Sequence, residues 1–223
     1  MIHIIYMAAG NSRRFGERNK LLQNWNGKPL YFHTFEKLIR IREKDPDSLS
    51  LTVVTQYPEI YQEVKNQPGV QAVFCQESRL GVSYTIKAGI RSVQETYTPE
   101  RNEHCFAEEG LSSKIKAENR RMWDYFMFVV ADQPALSEKS IEKLIRSASM
   151  QDKSAKQPAF SLRCGDRVGN PCMFRADLIP ELMQLEGDKG GRAVVKQHAC
   201  CYVEIENEEE FSDIDTEEQI KKK

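Results

Sequence analysis

Apolar runs too short for helices alternate along this chain with longer segments whose apolar residues recur every three or four positions. Residues 2–8 are apolar almost throughout, the pattern of a parallel strand buried on both faces. From Pro29, a residue suited to a first helical turn, Leu30, Phe32, Phe35, Leu38 and Ile39 follow helical spacing until Asp45-Pro46-Asp47-Ser48 ends it. Residues 49–55, rich in β-branched side chains, predict a second strand, 58–66 a short helix and 70–75 a third strand. The pattern turns helical again from Ser83, with Ile86, Ile90 and Val93 facing inward. Asp124 to Val130 is the most apolar run after the first and predicts the centre of the sheet. Ser137 is placed to cap the helix that follows. Residues 158–163 and 172–174 predict two strands joined by a loop or hairpin at 165–171. A helix over 177–185, a glycine-rich turn at 187–192, a helix to about His198, a strand over 200–205 and a terminal helix complete the chain.

Strands alternating with helices predict a mostly parallel sheet covered on both faces, a three-layer α/β/α fold. No repeat or linker divides the sequence, so residues 1–223 read as one domain. Ten of the 25 residues in 98–122 are charged, which marks that segment as a surface insertion.

Composition narrows the function by exclusion. The 32 basic and 33 acidic residues nearly cancel, so net charge gives no argument for nucleic acid or a membrane surface as a partner. No apolar run approaches the roughly 20 residues that span a bilayer, and the N-terminus lacks a signal-like pattern; the expected location is the cytoplasm. Six cysteines without a C-x-x-C and four scattered histidines argue against a zinc site.

In a sheet of this kind ligands bind beyond the carboxyl ends of the strands. Two features fall there. The first is the loop Ala8-Ala9-Gly10-Asn11-Ser12-Arg13-Arg14-Phe15-Gly16, followed by Lys20. Its small residues let backbone N–H groups approach an anion, and Arg14 and Lys20 add cations. Five residues separate its glycines and Glu17 follows, so it is not a Walker A loop, and no G-x-G-x-x-G is present. The residues alone allow either a phosphate cradle or an ordinary strand-to-helix turn. The second is Asp132, where the central strand stops. It could hold a hard divalent cation over phosphates or merely cap the next helix. Asp213 and Asp215 by themselves read as solvated or capping residues.

The ordered set M-A-A-G-N-S-R-R-F-G-E-R-N-K-L-L, G-K-P-L, G-V-S-Y-T-I-K-A-G, V-V-A-D-Q-P, G-N-P-C-M-F, G-D-K-G-G-R and D-I-D-T-E-E resembles the MobA-like nucleotidyltransferases, enzymes that attach a nucleotide to molybdopterin. The resemblance runs from residue 2 to about 220. It implies a Rossmann-like sheet of the nucleotide-diphospho-sugar transferase type. Ala8-Ala9-Gly10 looks like the first loop of the cytidine-transferring branch, whereas the guanosine enzymes tend to carry Ala-Gly-Gly. Thr85 stands where that branch usually has a second serine.

Carried onto this chain, the resemblance implies CTP, or another NTP, and a molybdopterin-type acceptor as substrates, with Mg2+ as cofactor. Ala8, Ala9, Gly10 and Ser12 would line the nucleotide, Arg14 and Lys20 would bind its triphosphate, and Ser83 and Thr85 would face it. Asp132 would be the principal metal ligand and Asp215 the second, with Asp213 as the alternative. Lys20, Arg14 and Asp132 would be the catalytic set, and Gly169, Asn170 and Pro171 would face the acceptor. A molybdenum hydroxylase is a possible partner. Two other readings remain open on sequence: the same fold acting on a sugar phosphate or small alcohol, and a maturation chaperone without turnover.

Overall fold

The computed structural model describes residues 1–12, 15, 18–97, 124–151 and 157–221. Arg14 and the charged segment 98–122 lie outside the described residues. The elements follow the alternation in the sequence. They are β1 (Ile2–Met7), a small hairpin of β2 (Asn24–Trp25) and β3 (Lys28–Pro29), α1 (Leu30–Lys44), β4 (Leu49–Thr55), α2 (Pro58–Val64), β5 (Val70–Phe74) and α3 (Val82–Tyr97). The second half adds β6 (Tyr125–Val130), α4 (Glu138–Ser149), β7 (Ala159–Cys164), β8 (Arg167–Arg175), α5 (Ile179–Leu182), α6 (Gly191–Val195), β9 (Cys200–Glu204) and α7 (Glu217–Lys221).

Seven strands form one sheet in the order β5-β4-β1-β6-β8-β7-β9. β5, β4, β1 and β6 run parallel, and β8 pairs antiparallel with both β6 and β7. β1 sits between β4 and β6, with Met7 level with Val54 and Val130, so β1, β4 and β6 end together. Alternate side chains of the central strands feed two cores. Ile4, Tyr6, Met127 and Val129 pack with the buried residues of α1, α2 and α4. Ile5, Phe126 and Phe128 pack with those of α3, α5 and α6. Gly89 lets α3 lie close on β1: a Cβ there would stand 2.6 Å from Ile5 Cγ2.

Several local features differ from the sequence reading: the helix expected over 177–185 is only Ile179–Leu182 behind a 3-10 turn at Ala176–Leu178, and the helix expected to about His198 ends at Val195. The expected loop at 165–171 is shorter, because β8 already begins at Arg167. Its register with β7 jumps from Ser161–Cys172 to Leu162–Gly169, leaving Asn170 and Pro171 in a bulge. A bulge is where a strand accommodates proline, which has no N–H for the ladder. The β2–β3 hairpin was not expected, although its Asn26-Gly27 turn is the favoured two-residue type; both residues have positive φ, 48° and 87°. It carries Pro29 to the edge of α1 as its N-cap, so the helix itself begins at Leu30. Ser137 caps α4 as expected, its side chain accepting from Ser140 N.

Candidate active site at the carboxyl ends of β1 and β6

The last residues of β1 set the first wall. Ala8 is fully buried in the core beneath the loop, and its N–H donates to Val54 O at 2.9 Å. The chain then opens at Ala9 and Gly10. Gln56 Nε2 donates to Ala9 O at 2.7 Å, and Tyr57 Oη donates to Gly10 O. In a trans peptide the N–H points opposite to the carbonyl of the same plane. Fixing these two carbonyls therefore turns the N–H groups of Gly10 and Asn11 the other way. The turn closes at Ser12, whose φ is +50° and whose hydroxyl accepts from Lys20 N at 3.0 Å.

Lys20 opens a short 3-10 turn, Lys20–Leu22, capped by the Asn19 side chain. Only 6% of the residue is exposed. Its Nζ donates to Asp132 Oδ2 and to Asp215 Oδ1, both at 2.8 Å. Burial acts to lower the pKa of this lysine, but the charges and hydrogen bonds of Asp132 and Asp215 outweigh it and hold the ammonium above the usual lysine range. Asp132 sits just beyond β6 in a turn fixed from outside: Thr34 Oγ1 donates to Gln133 O at 2.9 Å, and Lys37 Nζ to Pro134 O and Leu136 O at 2.7 and 2.8 Å. Asp213 lines the same cleft beside the pair and accepts from Gln133 Nε2 at 2.8 Å. Burial, then the neighbouring charge of Asp132, raises its carboxyl pKa.

These elements enclose a cleft of about 710 Å3, within the usual range for a small-molecule site. Ala9, Gly10 and Ser12 face it from one side, Val82 and Thr85 from the start of α3, and Lys20, Asp132, Asp188, Asp213 and Asp215 from the acidic side. Among the described residues no group of three or more His, Cys, Asp or Glu is arranged to hold a metal ion by itself.

The other residues singled out by the sequence are placed differently. Thr85 lines the cleft with its hydroxyl donating to Ser78 Oγ at 2.9 Å. Ser83 is buried outside the lining; its N–H donates to Gly187 O, and its hydroxyl has no partner among the described residues. Gly169 packs under Phe211, where a Cβ would come within 2.3 Å of the ring, and Gly169, Asn170 and Pro171 are not part of the cleft lining. They lie at the start of the antiparallel strand β8, toward the same end of the sheet as the carboxyl end of β6. Gln56 and Tyr57, which act on the site by binding backbone, carry no chemical pattern in the sequence, and Gln133, although it stands in the V-V-A-D-Q-P segment, is assigned no role there.

Residues 4–201 match the model of the MobA-like NTP transferase domain. The chain belongs to that family. The match includes Lys20 and Asp132 and stops before Asp213 and Asp215, so the geometry around Lys20 is what brings the last two into the site. No curated protein matches the chain. Solved structures share the fold at low identity. Rv0371c from Mycobacterium tuberculosis H37Rv superposes with a TM-score of 0.68 at 17% identity, over 99% of this chain and 96% of that one. A manganese complex of Rv0371c is also similar, with a TM-score of 0.64 at 17% identity over the same shares. Molybdopterin-guanine dinucleotide biosynthesis protein A from Archaeoglobus fulgidus gives 0.61 at 14% identity, over 99% and 95%. A CMP:2-keto-3-deoxy-manno-octonic acid synthetase complexed with CTP gives 0.61 at 15% identity, again over 99% and 95%. No helix among the described residues is long and apolar enough to cross a membrane.

Proposed function

We propose that this MobA-like transferase moves CMP from CTP to the phosphate of a molybdopterin-type cofactor and releases pyrophosphate. The observation that carries the reading is the position of Lys20 Nζ, 2.8 Å from both Asp132 and Asp215 in a cleft that also contains the turned Ala9–Ser12 loop. Cationic and anionic groups are brought together there in the way a metal–triphosphate complex requires. The cytidine assignment rests on Ala8-Ala9-Gly10 and its likeness to the cytidine branch.

The donor set fits Mg2+. Asp132 and Asp215 supply hard carboxylate oxygens that already converge on one positive charge, and two carboxylates plus substrate phosphates are a usual environment for this ion. When bound there, Mg2+ would neutralise charge on phosphate oxygens. The protein's own contribution is positional. The Gly10 and Asn11 N–H groups would receive phosphate oxygens, Lys20 would exchange a carboxylate for the triphosphate, and Arg14 is assigned to the same anion by family likeness. Ser12, Ser83 and Thr85 would support the nucleotide from around the loop and the start of α3, and Asp213 would remain a partner of Gln133. The acceptor would approach from the side of Gly169, Asn170 and Pro171.

In the reaction an acceptor phosphate oxygen attacks the α-phosphorus of CTP. A new P–O bond forms as the bond to pyrophosphate breaks, and the leaving group takes the electron pair. The nucleophile is already ionised near neutral pH, so no general base is needed; catalysis consists of orientation and charge stabilisation. A molybdenum hydroxylase would be the recipient of the product, in the cytoplasm.

Pyrophosphate release tests the reading with CTP, GTP and ATP, each with molybdopterin and Mg2+. The expected result is release that requires acceptor and metal and is fastest with CTP. Release only with a sugar phosphate or alcohol acceptor would reassign the acceptor. No turnover with any nucleotide, despite nucleotide binding, would favour a maturation chaperone instead.

A further inference from the structure

Asp215 is 41% exposed and lies outside any helix or strand, yet its carboxylate meets Lys20 Nζ at 2.8 Å. Something must hold residues 213–216 in place. The turn after β6 supplies part of the hold: Ile214 N donates to Asp132 O at 2.9 Å, and Gln133 Nε2 donates to Asp213 Oδ1. On the other side a single side chain makes several contacts. Gln219 Oε1 accepts from Asp215 N at 2.7 Å, from Thr216 N at 2.9 Å and from Thr216 Oγ1 at 3.3 Å, and its Nε2 donates to Asp213 O at 3.3 Å. Thr216 and Gln219 have the spacing of a capping box, but here the side chain extends one residue further, onto the N–H of Asp215 itself. The same short helix meets the segment just before Lys20 through the ion pair of Arg18 with Glu217.

We infer that Gln219 is a positioning residue that sets Asp215 for the metal side of the cleft, an inference that rests on the proposed nucleotidyltransferase reading. Among the described residues α7 spans Glu217–Lys221. Its capping bonds reach the N–H groups of both Thr216 and Asp215, so they order the acidic turn as well as start the helix. Loss of the Gln219 amide frees the N–H groups of Asp215 and Thr216 and lets the Asp215 carboxylate leave the shared focus with Asp132. A residue that merely starts a terminal helix would alter end-fraying and leave metal affinity alone.

The test is Mn2+ binding to the full chain with CTP present and no acceptor, so that nothing turns over, read by the electron paramagnetic resonance signal of free Mn2+. Gln219→Ala is expected to raise the Mn2+ dissociation constant about fivefold or more, while CTP affinity without metal changes by less than about twofold. Gln219→Glu keeps an oxygen for both N–H groups and is expected to restore Mn2+ binding to within about threefold of wild type. The inference is overturned if Gln219→Ala binds Mn2+ as wild type does, or if Gln219→Glu is as weak as the alanine variant. If the wild-type chain binds neither Mn2+ nor CTP, the nucleotidyltransferase reading fails first and takes this role with it.

Discussion

Lys20 and Lys37 both bury much of their length beside the turn that follows β6, and they differ in the groups their ammonium ions bind. Lys37 reaches from α1 to the carbonyl oxygens of Pro134 and Leu136. Those partners are neutral and belong to a packed turn, and burial lowers the lysine's pKa further than the nearby charges of Glu138, Glu210 and Glu36 raise it. Lys20 meets two carboxylates at the wall of an open cleft, and its pKa is raised despite burial. Burial therefore does not separate a lysine proposed to act on phosphate from a structural one. The partners do: Lys37 holds backbone that has no reason to let go, whereas Lys20 holds carboxylates that could exchange it for a metal ion while it moves to phosphate.

The sharpest way to break this contrast is to remove what Lys20 and the metal would share. Asp132→Ala is expected to reduce turnover by about three orders of magnitude or more, near 4 kcal/mol of transition-state stabilisation, measured on protein that remains folded. Steady-state rates under limiting Mg2+ check this, and a wild-type-like rate there would remove Asp132 from the reaction.

Lys20→Ala should come next, with a loss of about two orders of magnitude, on the order of 3 kcal/mol. A loss of less than about tenfold in kcat/KM would show that Lys20 does not act on the phosphates.

Lys37→Met should reverse the pattern. Two hydrogen bonds from a charged donor are lost from a half-buried site, so unfolding in urea should register a stability loss of about 1–2 kcal/mol after allowance for solvent screening. The rate per folded molecule should stay within about threefold of wild type; a larger fall would give Lys37 a part in the chemistry.

The smallest effect is alkaline, and its sign separates the two lysines. A raised folded pKa means that the Lys20 contribution is fully present below the unfolded value near 10.5 and is lost as pH rises through the folded value. Lys37 has a lowered folded pKa, so its charging cost is relieved as pH rises from that folded value toward 10.5. Urea midpoints between about pH 9 and 11 should therefore fall less steeply in Lys20→Met than in wild type and more steeply in Lys37→Met. Parallel curves for the three proteins would contradict the assigned surroundings.

Much of the fold was legible because it rests on local pattern. The apolar runs at 2–8, 49–55 and 124–130 are strands that need both faces buried, and each is found as a sheet strand. Pattern did less well where geometry is irregular. Pro171 hid the start of β8, because a proline in a strand is tolerated only at an edge or a bulge, and sequence does not reveal the bulge. The Asn26-Gly27 turn carried a clear hairpin signal, but the two-residue strands around it have no alternation to read.

The site was legible in part for a different reason. Gly10, Lys20 and Asp132 stand out because small, cationic and acidic residues at strand ends carry chemistry. The topology and the resemblance both placed them at one end of the sheet, but the direct contacts of Lys20 were not readable, since its partners lie 112 and 195 positions away. Gln56 and Tyr57 were silent because a glutamine and a tyrosine after a strand have no chemical pattern until the carbonyls they hold are known. Thr216 and Gln219 have capping-box spacing that went unread in the sequence, and nothing in that spacing ties them to Asp132.

The most direct test is the anomalous scattering of Mn2+ in crystals of the full chain grown with CTP. The account predicts one manganese peak within coordination distance of both Asp132 and Asp215, with the α-phosphate in the cleft and Lys20 Nζ moved from the carboxylates onto the triphosphate. Manganese bound elsewhere, with Lys20 still bridging Asp132 and Asp215 and the triphosphate outside the cleft, would contradict it.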